Sequence, residues 1–510
     1  MSKQPRRGIG LLPNGLRLRL LLAGFLLTPA AAAAQSNPAA DTWASVRDTV
    51  REVMARSNTA SISIAVARGG KIIWEEAFGW ADREKQIRAT PNTIYSLASI
   101  SKPMTATGLM TLVESGRIDL DRPANEYLGA GKLTGLAADA NAATVRRVMS
   151  HTAGLPLHYQ FYYSSEPYPV LPPDEAISRY GILVYPPGEV FEYSNLGYGI
   201  VDHIISLTSG VDYTEFMRTR VFQPLGLTRT GVGIPPGLDG SAAQRYDQKQ
   251  QPIPFYDFDH RGGSAIFSSA HDLVRFGMFH LKDHLSDQRP ILKDSTIDAM
   301  HRAVPPANYG LGWLVNEREG MRIVYHSGGM TGVETLLLLY PAEDVAVVVL
   351  ANYYYVDVSR VTREIERVLL PRYSESRRRA AGGVQQAAAA APRFTPPAEL
   401  AGEWTGTVRT WEGSVPLSLV VGADGSVRAK LADQPEAALT ETRWQDGTLT
   451  GRFTGTIPTT DARRWPHSVV LSLRLHGATL NGFAAAVTPD NPVHFALSSY
   501  ASLTKKADAK

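Results

Sequence analysis

Tyr95-Ser96-Leu97-Ala98-Ser99-Ile100-Ser101-Lys102-Pro103 is the stretch on which the reading of this chain turns. A helix starting near Ser99 places Ser99 and Lys102 one turn apart on the same face. A lysine there can activate the serine hydroxyl if burial tunes its own charge. The helix N-terminus adds backbone N–H groups able to stabilise an oxyanion. A serine three residues before a lysine is a weak signal by itself. Ser502-Leu503-Thr504-Lys505 has the same spacing near the polar C-terminus, where it carries no chemistry.

Two further stretches give Ser99 its company. The chain has one Tyr-x-Asn, Tyr193-Ser194-Asn195, inside Glu192-Tyr193-Ser194-Asn195-Leu196-Gly197-Tyr198-Gly199. Further on, Tyr325-His326-Ser327-Gly328-Gly329-Met330-Thr331-Gly332 directly precedes the apolar run 334–350. S-x-x-K, Y-x-N and H-x-G in this order resemble the serine β-lactamase and penicillin-binding family. The tyrosine in the second motif points to its branch of class C β-lactamases, DD-peptidases, D-aminopeptidases and esterases. His151-Thr152-Ala153-Gly154-Leu155-Pro156, Phe222-Gln223-Pro224-Leu225-Gly226-Leu227, Gly262-Gly263-Ser264, Ser268-Ser269-Ala270-His271-Asp272-Leu273 and Tyr309-Gly310-Leu311-Gly312-Trp313 also look like that family. Together they cover roughly residues 40–370.

The resemblance implies roles residue by residue. Ser99 is the expected nucleophile. Lys102 and Tyr193 share the general-base role, Tyr193 as a phenolate held down by nearby cations. Asn195, His326 and Gly328 are expected at the substrate, and the N–H groups of Ser99 and Gly329 form the oxyanion hole. His326 stands where the best-known pattern has a lysine that recognises a substrate carboxylate. A histidine is mostly neutral at pH 7, so efficient penicillin hydrolysis is not expected. No metal or organic cofactor is implied. The bland readings are a turn or helix start for Tyr193 and Asn195, and a strand-closing histidine for His326.

Outward from the motifs, helical spacing runs from Asp41 to Arg56 with Asp41 as N-cap, and again over 103–116, 200–230 and 357–370. Strands are expected at Ser61–Ala67 and Lys71–Trp74 around Gly69-Gly70, and at Val345–Leu350. These make an α/β (α+β) body over residues 40–371, expected to be an antiparallel sheet flanked by helices with a helical subdomain. Residues 372–397, with Arg377-Arg378-Arg379, an alanine run and Pro396-Pro397, read as a linker. Short strands and turn pairs over 398–503 predict a small all-β sandwich or barrel, followed by a polar tail at 504–510. Leu400-Ala401-Gly402-Glu403-Trp404 resembles the opening strand of lipocalin-like barrels fused behind such hydrolases. The barrel is expected to shape one side of the cleft, to dock the enzyme elsewhere, or only to stabilise it.

The chain's 510 residues carry 52 bases, 49 acids and no cysteine, which excludes disulfides, thiolate metal sites and a cysteine nucleophile. Five of the bases lie in residues 1–34, which contain no acid, so the remainder is close to neutral. That opening segment has a basic start, an apolar run over Leu18–Leu27 broken by Arg19, and Ala32-Ala33-Ala34 before Gln35. It reads as a cleaved export signal and predicts a periplasmic or secreted protein with no permanent membrane span. Arg6-Arg7 is only a weak sign of twin-arginine export. Residues 399–510 carry 11 acids and 11 bases, so nucleic acid finds no electrostatic support.

His-Glu-x-x-His, P-loop and G-x-S-x-G motifs are absent. Asp257, Asp259 and His260 are read as a loop rather than a metal site. Tyr159-Gln160-Phe161-Tyr162-Tyr163 either narrows the cleft or packs on its own domain. The sequence therefore predicts an exported serine hydrolase acting on a small-molecule or peptide amide or ester, with oligomeric state open. A class C-like β-lactamase and a catalytically silent cell-wall or peptide-binding protein are the rival readings.

Overall fold

The computed structural model describes residues 41–136, 138–384, 394–489 and 491–506; the export segment at 1–34 lies outside them. Its central feature is a seven-stranded sheet. We number its strands β1 (Ser61–Arg68), β2 (Lys71–Asp82), β3 (Ile87–Arg88), β4 (Leu314–Arg318), β5 (Met321–Met330), β6 (Val333–Tyr340) and β7 (Val345–Ala351). Their spatial order is β4-β5-β6-β7-β1-β2-β3, and the pairs from β4 through β2 are antiparallel, with the β1–β2 register shifting between Val66 and Ala67.

β1 and β7 are buried along nearly their whole length because both faces of the sheet are covered, and β7 is apolar throughout. Ile62, Ile64, Val66, Val347 and Val349 point to one side, where they meet Val46, Val50 and Val53 of helix α1 (Ala44–Ser57). Ala65, Ala67, Ala346, Val348 and Leu350 belong to the main core on the other side. Helix α2 (Ser101–Glu114), helix α3 (Asn195–Ser209) and helix α4 (Ala270–Leu281) contribute to that core. Gly277 of α4 lets this helix approach closely: a Cβ there would lie 3.1 Å from Ala346 Cβ.

Helix α1 begins at Ala44 rather than at an Asp41 cap; Trp43 holds the N-cap position without a side-chain cap bond. Its ring stacks on Trp74 at 4.5 Å between centroids, so packing sets this helix start. The body closes with α5 (Val358–Leu369) and α6 (Pro371–Val384). The segment read as a linker from 372 thus opens as a helix. Tyr373 is buried against Tyr340, and Arg377 Nη1 donates to Glu366 Oε2 at 2.6 Å. Residues 385–393 lie outside the described chain.

Beyond residue 394 the chain forms a barrel-like sheet, as expected. It opens with Gly402–Thr410, which pairs with both Gly413–Val421 and the last strand, Phe495–Lys505. The path ends at Ala437–Ala438 and Thr440–Gln445, neighbours in sequence, so the sheet is nearly closed. Trp404, Leu419, Leu449, Leu471 and Leu480 fill its interior with no exposure. The last strand also pairs with Tyr159–Tyr163 through Phe495↔Gln160 and Ala496↔Tyr159. The barrel is therefore joined by backbone hydrogen bonds to the body that carries the motifs.

Candidate active site

Ser99 sits in a short 3₁₀ turn, Ala98–Ile100, that runs straight into α2. Ala98 has φ 48°, the left-handed region that a residue with a Cβ rarely occupies. The turn is held from outside: Thr335 Oγ1 donates to Leu97 O at 3.0 Å, and Leu97 N donates to Ile266 O at 2.9 Å.

Lys102 lies one turn along, with no exposure. Its Nζ is 3.2 Å from Ser99 Oγ, 2.8 Å from Asn195 Oδ1 and 3.0 Å from Gly263 O. Burial pushes the Lys102 pKa well below the usual ammonium value. A neutral amine suits these partners. Its two N–H groups go to Asn195 Oδ1 and Gly263 O, which only accept, and its lone pair faces the Ser99 hydroxyl.

Tyr193 and Asn195 enter from the start of α3, where Ser194 is the N-cap and accepts from Gly197 N at 3.3 Å. The Tyr193 hydroxyl is hydrogen bonded to Ser99, and Lys102 Nζ lies 4.7 Å from the centre of its ring. Burial raises the Tyr193 pKa. Burial of the ring and of the nearby Lys102 nitrogen both work against the expected phenolate. His151 packs its ring on Tyr193 at 4.3 Å and accepts on Nδ1 from Ser194 N at 3.1 Å, which fixes the start of this motif.

Ser99, Tyr193, Asn195 and Gly329 line one cavity of about 270 Å³. His326 and Gly328, expected at the substrate, are not in its wall. His326 is 2% exposed and stands behind Tyr193, with 6.5 Å between ring centres. Its Nε2 is 2.9 Å from Tyr309 Oη and its Nδ1 2.6 Å from Ser327 O. Burial first, then Lys102, takes the His326 pKa down to about 3, so this position carries no fixed positive charge at neutral pH. Gly328 packs on the nucleophile turn, where the Leu97 carbonyl leaves no space for a side chain. Gly329, the next residue of β5, reaches the cavity beside Tyr354, whose ring lies 2.9 Å from where a Cβ would stand.

The aromatic stretch 159–163 does both things expected of it. Tyr159 and Phe161 line the cavity, while Tyr162 and Tyr163 are buried. Other wall residues were not singled out by sequence reasoning. Tyr353, Tyr354 and Tyr355 follow β7, and three consecutive tyrosines after a buried strand were a signal available for the taking. Asn491 and Val493 come from the barrel, which thus shapes one side of the cleft. Tyr163 Oη donates to Val493 O at 2.8 Å, and Glu166 pairs with His494 at 3.0 Å, anchoring that loop.

His158, Asp259 and His260 bring ligand-type atoms within 4.8 Å of one another. Asp257, grouped with Asp259 and His260 in the sequence, instead pairs with Arg261 at 3.4 Å. His158, 101 positions from Asp259, takes its place. Each imidazole turns one nitrogen to a separate Asp259 oxygen, at 2.8 Å and 2.7 Å, while His158 Nδ1 is buried without a hydrogen-bond partner. Among the described residues no helix is long and apolar enough to cross a membrane.

A buried Ser-Lys pair joined by a tyrosine just before a helix start, packed against an antiparallel sheet, is the arrangement the sequence motifs led one to expect. The Beta-lactamase family model matches residues 46–370, and the chain belongs to that family, whose members are serine hydrolases such as penicillin-binding proteins and D-alanine carboxypeptidases. Penicillin-binding protein 4* of Bacillus subtilis (strain 168) is 26% identical over 331 residues, 60% of this chain and 70% of that one. Protein flp of Staphylococcus aureus (strain NCTC 8325 / PS 47) is 26% identical over 303 residues, 57% of this chain and 59% of that protein. The octameric penicillin-binding protein homologue from Pyrococcus abyssi shares the fold at TM-score 0.56 and 21% identity, over 89% of this chain and 99% of that one.

Proposed function

We propose that this protein is an exported serine hydrolase that cleaves amide or ester bonds through an acyl-enzyme at Ser99, with peptides containing D-residues as a favoured substrate class. The observation that carries the reading is the Lys102 amine, 3.2 Å from Ser99 Oγ, with its other contacts made to groups that only accept. Ser99 Oγ attacks the substrate carbonyl carbon as its proton passes to the Lys102 lone pair. The oxyanion is taken by the N–H groups of Ser99 and Gly329. Tyr193 gives its proton to the departing nitrogen or oxygen and recovers one from Lys102. Water then repeats the path in reverse, and the acid leaves. Asn195, with Oδ1 on Lys102, keeps Nδ2 for the substrate carbonyl or amide.

In this reading residues 1–34 direct export to the periplasm or medium and are removed. Residues 40–371 are the hydrolase, and 398–503 are a lipocalin-like barrel that closes one wall of its cleft. The uncharged His326 disfavours efficient penicillin hydrolysis, which needs a cation for the substrate carboxylate. The test is turnover on a panel of D-Ala-D-Ala peptides, D-amino-acid amides, p-nitrophenyl esters and nitrocefin, with Ser99→Ala as control. Ester or amide turnover that vanishes in Ser99→Ala supports the proposal. Fast nitrocefin turnover alone would make the protein a β-lactamase, and no turnover of any member a silent binder.

A further inference from the structure

His260 takes no part in the serine machinery, yet it lines the same cavity as Ser99, Asn195 and Ser264. Its ring is 1% exposed and is held rigidly from behind. Asp259 Oδ1 accepts from Nδ1 at 2.7 Å, and the other Asp259 oxygen accepts from His158 Nε2 at 2.8 Å. Burial would raise the Asp259 pKa, but the two imidazoles outweigh it and keep the carboxylate charged. Burial also favours the neutral form of His260. With its proton fixed on Nδ1, the ring presents Nε2 to the cavity as a lone-pair acceptor.

The rest of the wall fits a donor better than an anion. Among the described residues that line the cavity none is lysine or arginine, and its one charged member is Asp247. Phe258 and Tyr354 also line the cavity, and aromatic rings favour a cation over a carboxylate. We propose that His260 Nε2 accepts a hydrogen bond from an N–H group on the substrate's acyl side, so that the site selects acyl donors bearing an amine or amide N–H and lacking a free carboxylate. Asp259 and His158 are positioning residues that set the tautomer and direction of that acceptor. The inference rests on Ser99 as the nucleophile.

Two matched substrates isolate the contact: the p-nitrophenyl ester of phenylalanine, in both enantiomers, and that of 3-phenylpropanoate, which differs by the missing amine. The readout is the ratio of their kcat/KM values after subtraction of spontaneous hydrolysis. His260→Leu should lower the amine-to-desamino ratio by about 10- to 100-fold, the range of one buried hydrogen bond to a charged group. His260→Gln, whose amide oxygen can still accept, should recover part of that ratio, and Asp259→Asn should lower it. A purely structural role would reduce both substrates together and leave the ratio unchanged, which would overturn the inference. Fluorophosphonate labelling of Ser99 is followed in parallel. An unlabelled wild type overturns the nucleophile and this inference with it, whereas labelling with an unchanged ratio overturns this inference alone.

Discussion

Gly328→Ala is a one-carbon change at a residue that lies outside the cavity wall. An alanine Cβ at this position would lie under 3.0 Å from both the Leu97 carbonyl oxygen and Thr335 Oγ1, and 3.2 Å from Ala98 Cβ. Neither oxygen can give way freely. Thr335 Oγ1 is bonded to Leu97 O at 3.0 Å and to Gly328 O at 3.2 Å, and Leu97 leads directly into the strained Ala98. Relief requires β5 and the nucleophile turn to part by about 1 Å, and a misplacement of that size at a reacting group costs about 100-fold in rate. Overpacking of this kind costs about 1–3 kcal/mol of stability. Gly328→Ala should therefore remain folded by circular dichroism, melt a few degrees lower, and lose about 100-fold in kcat/KM toward a p-nitrophenyl ester. Turnover within a few-fold of wild type would show that Gly328 does not set the position of Ser99, and would refute this account of the turn.

Three other outcomes follow from the same geometry. Lys102→Met should lose about 100- to 10,000-fold in acylation rate, the range of a general base. Because the folded Lys102 pKa is depressed, the unfolded chain binds the extra proton between that value and 10.5, so wild-type stability relative to Lys102→Met should rise with pH across this window; equal slopes in chemical denaturation would contradict the buried neutral amine. Asp202, which accepts from Gly262 N, has its pKa raised to about 8 by burial, so its contribution to stability is full below pH 3.8 and is lost as pH rises through 8; Asp202→Asn should remove that fall, read as denaturant midpoint against pH. Val493→Asp should alter the relative kcat/KM of bulky apolar and small acyl groups while leaving fluorophosphonate access to Ser99 in place, since Val493 lines the cavity from the barrel side.

The parts of this site that could be read in the sequence are those whose geometry is local. Ser99 and Lys102 are three residues apart on consecutive turns, and Ser194 between Tyr193 and Asn195 is a helix cap that fixes both neighbours. The core strand Val345–Ala351 was legible because a strand covered on both faces is apolar throughout. The parts that escaped depend on packing between distant segments. His158 meets Asp259 across 101 positions, and Val493 reaches the cavity only because Phe495–Lys505 pairs with Tyr159–Tyr163. The charge state of Tyr193 is illegible in the sequence for a related reason. Its ionisation depends on how deeply Lys102 and its own ring are buried, which no spacing encodes. The helix that opens at Pro371 was hidden because its described side chains make separate contacts, Tyr373 on Tyr340, Ser376 on Glu319 and Arg377 on Glu366, which no spacing announces.

Intact-mass spectrometry of the protein after a brief incubation with a p-nitrophenyl ester, followed by peptide mapping, addresses the central claim with the fewest assumptions. The account predicts a single acyl adduct on the peptide containing Ser99, formed with the release of one p-nitrophenol, absent in Ser99→Ala and strongly slowed in Lys102→Met. An adduct on any other residue, or ester turnover that persists unchanged in Ser99→Ala, would contradict it.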